Sequence, residues 1–290
     1  MAQRAVVITG ASTGIGEACA VWLAERGWRV FAGVRKAQDG EAVAAKAKGI
    51  TPVIIDVTRE ETIRDAAAQV ADALGGEGLA GLVNNAGIVV ALPLEYVRLD
   101  LLRMQFEVNV VGQIAVTQAF MPLLRKAKGR VVMMGSSSGR AATPLMGPYS
   151  ASKFALEALT DSLRMELMPW GIQVSIVEPG AIATPIWDKS TAANEGYERE
   201  MPEEGRQRYQ PLIDAMRAMV NGVTKRASPA SAVALAVEDA LGADEPRTRY
   251  LVGTDAKVQA TLAKVLPDRV RDKLLAKVMK LPAYSGSSGR

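Results

Sequence analysis

The sequence predicts a doubly wound α/β domain: a seven-stranded, mainly parallel sheet with helices on both faces. Three observations predict it. Short, continuously apolar runs such as Ala5-Val6-Val7-Ile8 alternate with helical stretches over most of the 290 residues, as a parallel sheet buried on both faces requires. The first run leads into Thr9-Gly10-Ala11-Ser12-Thr13-Gly14-Ile15-Gly16, a glycine-rich turn that opens a helix. Tyr149 and Lys153 stand four residues apart at the head of another helical stretch, so a phenol and an ammonium group share one helix face.

Composition narrows the chemistry. At 49% hydrophobic and 23% charged, the chain has the make-up of a globular protein with a full core. It has no apolar run of about eighteen residues, so no membrane span is expected. Met1-Ala2-Gln3-Arg4 leads straight into a strand without a signal-peptide pattern, and a cytoplasmic address is the default expectation. Cys19 is the only cysteine, which precludes an intramolecular disulfide, and its apolar helical setting predicts a buried, inert thiol. The complete lack of histidine excludes His-based triads, His-containing metal sites and imidazole bases. Acid–base work near neutral pH is left to Tyr, Lys or a shifted carboxylate. The net charge of +4 is uneven: eight basic and two acidic residues from Lys257 onward give that tail +6 and leave the body at −2. No nucleic-acid surface is expected on such a body.

Residues 4–9 read as the first strand and 17–26 as the helix after the glycine turn. Strand, glycine turn and helix in this order are the setting in which a dinucleotide's pyrophosphate binds, because glycine permits close backbone approach and a helix N-terminus presents free N–H groups. Gly10, Ser12, Thr13, Gly14, Ile15 and Gly16 are therefore candidate cofactor residues. With its G-x-x-x-G-x-G spacing and the Tyr149–Lys153 pair, the chain resembles the short-chain dehydrogenase/reductase family. That resemblance implies a Rossmann-type domain over residues 1–256 and a nicotinamide cofactor.

The second strand, 28–34, ends in Gly33-Val34-Arg35-Lys36, and the first acid after it is Asp39. An acid at this end would favour NAD, whereas two cations favour the 2′-phosphate of NADP(H). NADP(H) is thus the expected cofactor, with NAD(H) the alternative. Residues 41–48 read as a short helix, 51–55 as strand three, and 59–74 as a helix stopped by Gly75-Gly76. The resemblance implies adenine contacts at Asp56 and Val57. Residues 79–83 form strand four, and the following Asn84-Asn85-Ala86-Gly87 matches the family's N-N-A-G, placing Asn85, Ala86 and Gly87 along the cofactor ribose.

A long helix is expected over about 99–126, with Asn109 inside it, where asparagine is not favoured. In the family an asparagine here kinks the helix and supports a proton relay to the lysine. Strand five, 129–134, leads into Gly135-Ser136-Ser137-Ser138-Gly139. The family's serine lies thirteen residues before the tyrosine, which selects Ser136, with Ser138 the alternative. After the tyrosine helix comes strand six, 172–177, and then Glu178-Pro179-Gly180-Ala181-Ile182-Ala183-Thr184. This carries the family's P-G-x-x-x-T and implies nicotinamide contacts at Pro179, Gly180, Ile182 and Thr184.

Residues 185–226 are polar and weakly periodic, as functional lids or disordered segments are, and the resemblance implies a loop with small helices that closes the substrate pocket. A helix over 228–241 is expected to be capped by Ser228 with Pro229 at its first position, and 249–252 to be strand seven. The extension 257–290 repeats apolar residues at helical spacing, from Val258 to Leu281 with a break at Pro267. Packing on the body or a partner is the favoured reading, and a membrane surface the other. Tyr284 to Arg290 is Ser/Gly-rich and expected to be disordered.

The reaction expected is reversible hydride transfer between NADP(H) and a secondary alcohol/ketone or alcohol/aldehyde pair. The resemblance implies that Tyr149 acts as general acid or base, that Lys153 lowers its pKa and holds the nicotinamide ribose, both thereby touching the cofactor, that Ser136 orients the substrate oxygen and that Asn109 supports the relay. The resemblance is strongest to the hydroxysteroid and retinol dehydrogenase branch, implying a bulky lipophilic substrate and a homodimer or homotetramer. Epimerases of the family carry G-x-x-G-x-x-G, and its enoyl reductases separate tyrosine and lysine by six; this chain does neither. A catalytically silent NADP(H)-binding sensor or scaffold is the reading from a different class.

Overall fold

The computed structural model describes residues 3–279 and 281; the Tyr284–Arg290 segment lies outside them. Seven strands build the central sheet: β1 (Ala5–Ile8), β2 (Arg29–Val34), β3 (Ile50–Ile54), β4 (Gly81–Asn84), β5 (Arg130–Met134), β6 (Gln173–Pro179) and, on the far edge, Arg249–Val252. Two two-residue strands, β7 (Ile182–Ala183) and β8 (Ser228–Pro229), pair outside it, so the edge strand is β9. The order is β3-β2-β1-β4-β5-β6-β9, with every neighbour parallel. Strand order reverses between β1 and β4, and the crevice at the carboxyl ends there is the usual ligand position.

The apolar runs are continuous because both faces of the sheet are covered. Alternate side chains face opposite ways. Val6 and Ile8 join a core with Cys19 and Leu23 of α1 (Gly14–Ala24) on one face. Val7 and Leu82 join another with Val70 of α3 (Glu60–Leu74) on the opposite face. The first face also takes α2 (Ala37–Ala44), through Val43. α2 starts earlier than the sequence suggested and has Gly40 within it. A Cβ on Gly40 would lie 2.7 Å from Pro52 Cβ, so its absence lets the helix sit down on β3.

The long helix is real but not uniform. α4 (Leu99–Phe106) and α5 (Gly112–Ala127) are joined by one π-helical turn over Glu107–Val111, with Asn109 at its centre. α6 (Gly147–Leu167) carries Tyr149 and Lys153 in its first two turns.

Two expectations are corrected. Residues 185–226 are not a loop with small helices but α7 (Ile186–Arg199) and the 22-residue α8 (Glu203–Thr224). Pairs within the helices, Glu204–Arg208 among them, and burial of Ile213 and Met216 against Leu145 and Met279 stabilise what few apolar repeats announced. Ser228 is not a helix cap. Its N–H donates to Ala181 O (2.9 Å), which makes Ser228-Pro229 the short strand β8, and α9 (Ala230–Gly242) begins after it. α9 covers the first face with Val233 and Val237. After β9 the chain continues as α10 (Thr254–Val265) and, past Pro267, α11 (Asp268–Val278). Among the described residues no helix is long and apolar enough to cross a membrane.

Candidate active site

A cavity of about 1400 Å³ opens along the carboxyl ends of the strands. Its floor is the glycine turn. Gly10 and Gly14 both have φ of +64°, in the left-handed region where side chains are strained. A Cβ on Gly16 would lie 2.3 Å from Gly10 O, so the third glycine lets α1 close against the turn. Thr13 caps α1 without a side-chain hydrogen bond, leaving the first-turn N–H groups free to meet an anion. The turn is fastened from the next strand: Thr9 Oγ1 accepts from the N–H of Asn85 (2.9 Å) and Ala86 (3.0 Å), and Asn85 Nδ2 donates to Thr9 O (2.9 Å). A bare, rigid backbone cradle with free donors fits a dinucleotide pyrophosphate.

The remaining expected residues take places around this floor. Arg35 is exposed on the cavity wall at the end of β2. Lys36 is not on the wall; it is the exposed residue before α2. Asp56 lines the wall with Val57, and its carboxylate accepts from Thr58 N (3.0 Å) and Oγ1 (2.8 Å). Asn85, Ala86 and Gly87 line it beyond β4, and Pro179, Gly180, Ile182 and Thr184 beyond β6. Asp255 at the start of α10 holds this last segment by accepting from Ala181 N (2.6 Å).

Ser136, Tyr149 and Lys153 meet on the wall between β5 and α6. The Ser136 hydroxyl accepts from Ser138 N (3.1 Å), which fixes the turn after β5. Ser138 is also on the wall. Burial pushes the Tyr149 phenol above its ordinary pKa, and the hydrogen bond with Ser136 pulls it back. Lys153 is buried, and this pushes its ammonium down to about 8. It donates to Met134 O (2.7 Å) and lies 5.7 Å from the centre of the Tyr149 ring. The expected downward shift at Tyr149 is thus absent from the protein alone, because burial outweighs the nearby hydrogen bond.

Asn109 sits behind the wall, fully buried. It accepts from Ile88 N (2.8 Å) and donates to Ile88 O (3.1 Å) and Ser152 Oγ (3.2 Å). The π turn aims this side chain out of the helix ladder and at the chain following Gly87.

Several residues at the site escaped the sequence reading. Lys189 of α7 reaches over the glycine turn, donating to Thr13 Oγ1 (3.2 Å). Arg140, Met216, Leu262 and Leu274 line the cavity from segments far apart in the chain. The C-terminal helices therefore form part of the cavity wall.

Residues 4–195 match the family model described as short chain dehydrogenase. The chain belongs to the short-chain dehydrogenase family. It is an NAD(P)-dependent oxidoreductase acting on CH–OH groups. Among curated relatives, a 3-amino-tetrahydro-pyrrolizinone reductase from Xenorhabdus hominickii is 38% identical over 267 residues, covering 92% of each chain. A 17-beta-hydroxysteroid dehydrogenase type 6 from Bos taurus is 36% identical, over 98% of this chain and 91% of its own length. A short chain dehydrogenase from Burkholderia cenocepacia, solved in complex with NADP, superposes with a TM-score of 0.70 at 28% identity, covering 97% of this chain and 98% of that one.

Proposed function

We propose that this dehydrogenase uses NADP(H) to interconvert a bulky lipophilic alcohol and its ketone or aldehyde, with Tyr149 as the proton donor in reduction and acceptor in oxidation. The observation that carries this reading is the convergence of Ser136, Tyr149 and Lys153 on one wall of the cavity whose floor is the glycine cradle. The nicotinamide, when bound, supplies or accepts the hydride.

The chain's own residues do the rest by position and charge. Ser136 offers a neutral hydroxyl to the substrate oxygen, where it strengthens as negative charge develops. Tyr149, a phenol whose pKa burial raises further above neutral pH, holds the proton that this oxygen needs on reduction. Lys153, about one turn on, carries a charge that favours the phenolate left behind. Asn109 fixes the Ile88 peptide next to Gly87 and so the wall opposite. Gly10, Gly14 and Gly16 with the N-terminus of α1 hold the pyrophosphate, and Pro179 to Thr184 the nicotinamide end. Arg35, with Ser12 beside the turn, holds the 2′-phosphate, with Lys36 contributing charge from just outside the wall.

NADP bound to the Burkholderia relative supports the cofactor assignment. The apolar wall of Met216, Met219, Val220, Leu262, Leu274 and Val278 supports a large lipophilic substrate, as does the steroid named for the bovine relative. The test is a fluorescence titration with NADPH and NADH, followed by NADPH oxidation in the presence of a 17-ketosteroid or all-trans-retinal. NADPH is expected to bind at least about tenfold tighter, and Arg35→Ala to remove most of that preference while sparing NADH. Tighter NADH binding would overturn the cofactor assignment.

A further inference from the structure

One face of α6 carries three ionisable groups at successive turns: Tyr149, Lys153 and Glu157. The third is not used by the chemistry above. Glu157 is 8% exposed and stands in a cluster with Arg140 from the turn after β5, Glu178 of β6, Arg249 of β9 and Asp161 of its own helix.

The pairing within this cluster is unequal. Arg140 gives both its short bonds to Glu178, at 2.8 Å each. Arg249 gives its shortest to Asp161 (2.6 Å), which Arg164 also holds (2.5 Å). Glu157 Oε2 is left with longer contacts, 3.2 Å to Arg249 and 3.5 Å to Arg140. Its Oε1 is buried with no hydrogen-bond partner among the described residues. One turn away, the buried Lys153 ammonium has three donors and makes one hydrogen bond among the described residues, to Met134 O. An under-compensated carboxylate and an under-compensated ammonium thus stand one turn apart on one face of α6, with no ion pair between them among the described residues.

We propose that Glu157 is a positioning residue for Lys153: held by Arg140 and Arg249, and standing one turn away on the same helix face, its carboxylate supports the charged form of the lysine. The proposal rests on the reading of Lys153 given above. The two groups respond to one another as it requires. Burial pushes Lys153 down to about 8, and the Glu157 charge acts against that. Burial and the neighbouring Glu178 push Glu157 up to about 7, against Arg140 and Arg249. The turn bearing Ser136 packs on the same spot, since a Cβ on Gly139 would lie 3.1 Å from Lys153 O and 3.3 Å from Glu157 Cγ. The cluster therefore ties the serine turn, the tyrosine–lysine helix and the strand leading to Pro179 into one unit.

The sign of the effect follows from charge. Without the Glu157 carboxylate, the ammonium form of Lys153 is less favoured, its pKa falls, and it becomes neutral at lower pH. The probe is NADPH itself, because a charged lysine bonds its ribose hydroxyls more strongly than a neutral one. NADPH affinity is measured by fluorescence from about pH 6 to 10 on the wild type, Glu157→Gln, Glu157→Asp and Lys153→Met. The wild-type affinity is expected to fall above about pH 8. In Glu157→Gln that fall is expected about one pH unit lower, and in Glu157→Asp, whose charge is withdrawn by one methylene, less than half as far.

An unmoved fall in Glu157→Gln would overturn the proposal. Equal shifts in the Gln and Asp variants would assign the effect to packing, and a fall that persists in Lys153→Met would assign it to another group; either overturns it too. Should Glu157→Gln not fold, Glu157→Asp decides by the same criterion of a moved or unmoved fall. Failure of NADPH to bind the wild type at any pH would instead refute the cofactor reading, which keeps the two failures distinguishable.

Discussion

Arg140 shows how much of this site depends on single charges that no motif marks. Glu178 is fully buried, and Arg140 supplies both of its short hydrogen bonds, with Arg249 at 3.6 Å the next cation. Removing one partner of a buried pair leaves a charge that cannot be solvated, at a cost of about 3–5 kcal/mol. Arg140→Ala is accordingly expected to lose roughly 3 kcal/mol in urea denaturation at neutral pH. Arg59→Ala, which breaks an exposed pair with Glu61, is expected to change stability by less than about 1 kcal/mol. Equal losses in the two variants would contradict the burial argument. At this scale the sequence was legible where a residue is forced by geometry. The glycines of the turn and the Tyr149–Lys153 spacing announce themselves locally. Arg140, Glu157, Glu178 and Arg249 do not, because only the fold brings a turn, a helix and two strands to one point, pairing Arg140 with Glu178 across 38 residues and Arg249 with Glu157 across 92.

Among the elements, the π turn at Glu107–Val111 is the clearest link between local structure and the site. A helix interior does not favour asparagine, and here the side chain is turned outward to satisfy both polar groups of the Ile88 peptide. Asn109→Ala would leave the part-buried Ile88 N–H without its partner, while Gln105 still donates to Ile88 O. The expected loss is about 1–3 kcal/mol in denaturant unfolding. Turnover is expected to fall as well, because the wall beside Gly87 is no longer fixed. A variant as stable as the wild type would show that water or backbone replaces the bonds. The strands were legible because two-sided burial leaves runs such as Val131-Val132-Met133 no polar positions. α7 and α8 were not, because ion pairs and a few buried residues on distant partners stabilise them in place of a continuous apolar stripe. Ser228 reads locally as a cap, yet pairing with Ala181 decides its conformation.

For the whole molecule, the cavity divides into two halves with different visibility. The cofactor half is built from strand ends and turns that keep their order along the chain, so motif spacing maps onto it directly. The other half, where the proposed substrate would lie, is lined by α8, α10 and α11, with Met216, Leu262 and Leu274 contributed by helices that meet only in three dimensions. Val258, Leu274 and Val278 stay largely exposed while lining it, an apolar mouth that water wets when no lipophilic group fills it. The C-terminal helices thus line the cavity with part of their apolar stripe, while Val265 and Val270 of the same stripe are exposed.

The central claim is that Tyr149 moves the proton while the glycine cradle holds NADP(H) independently of it. The measurement that tests this most directly compares wild type and Tyr149→Phe in NADPH-dependent ketone reduction, with NADPH affinity recorded on both. The account predicts a loss of about 10²–10⁴-fold in turnover and NADPH affinity within about threefold, because the phenol hydroxyl contributes little to holding the dinucleotide. Turnover within about tenfold of wild type would remove Tyr149 from the chemistry and contradict the mechanism.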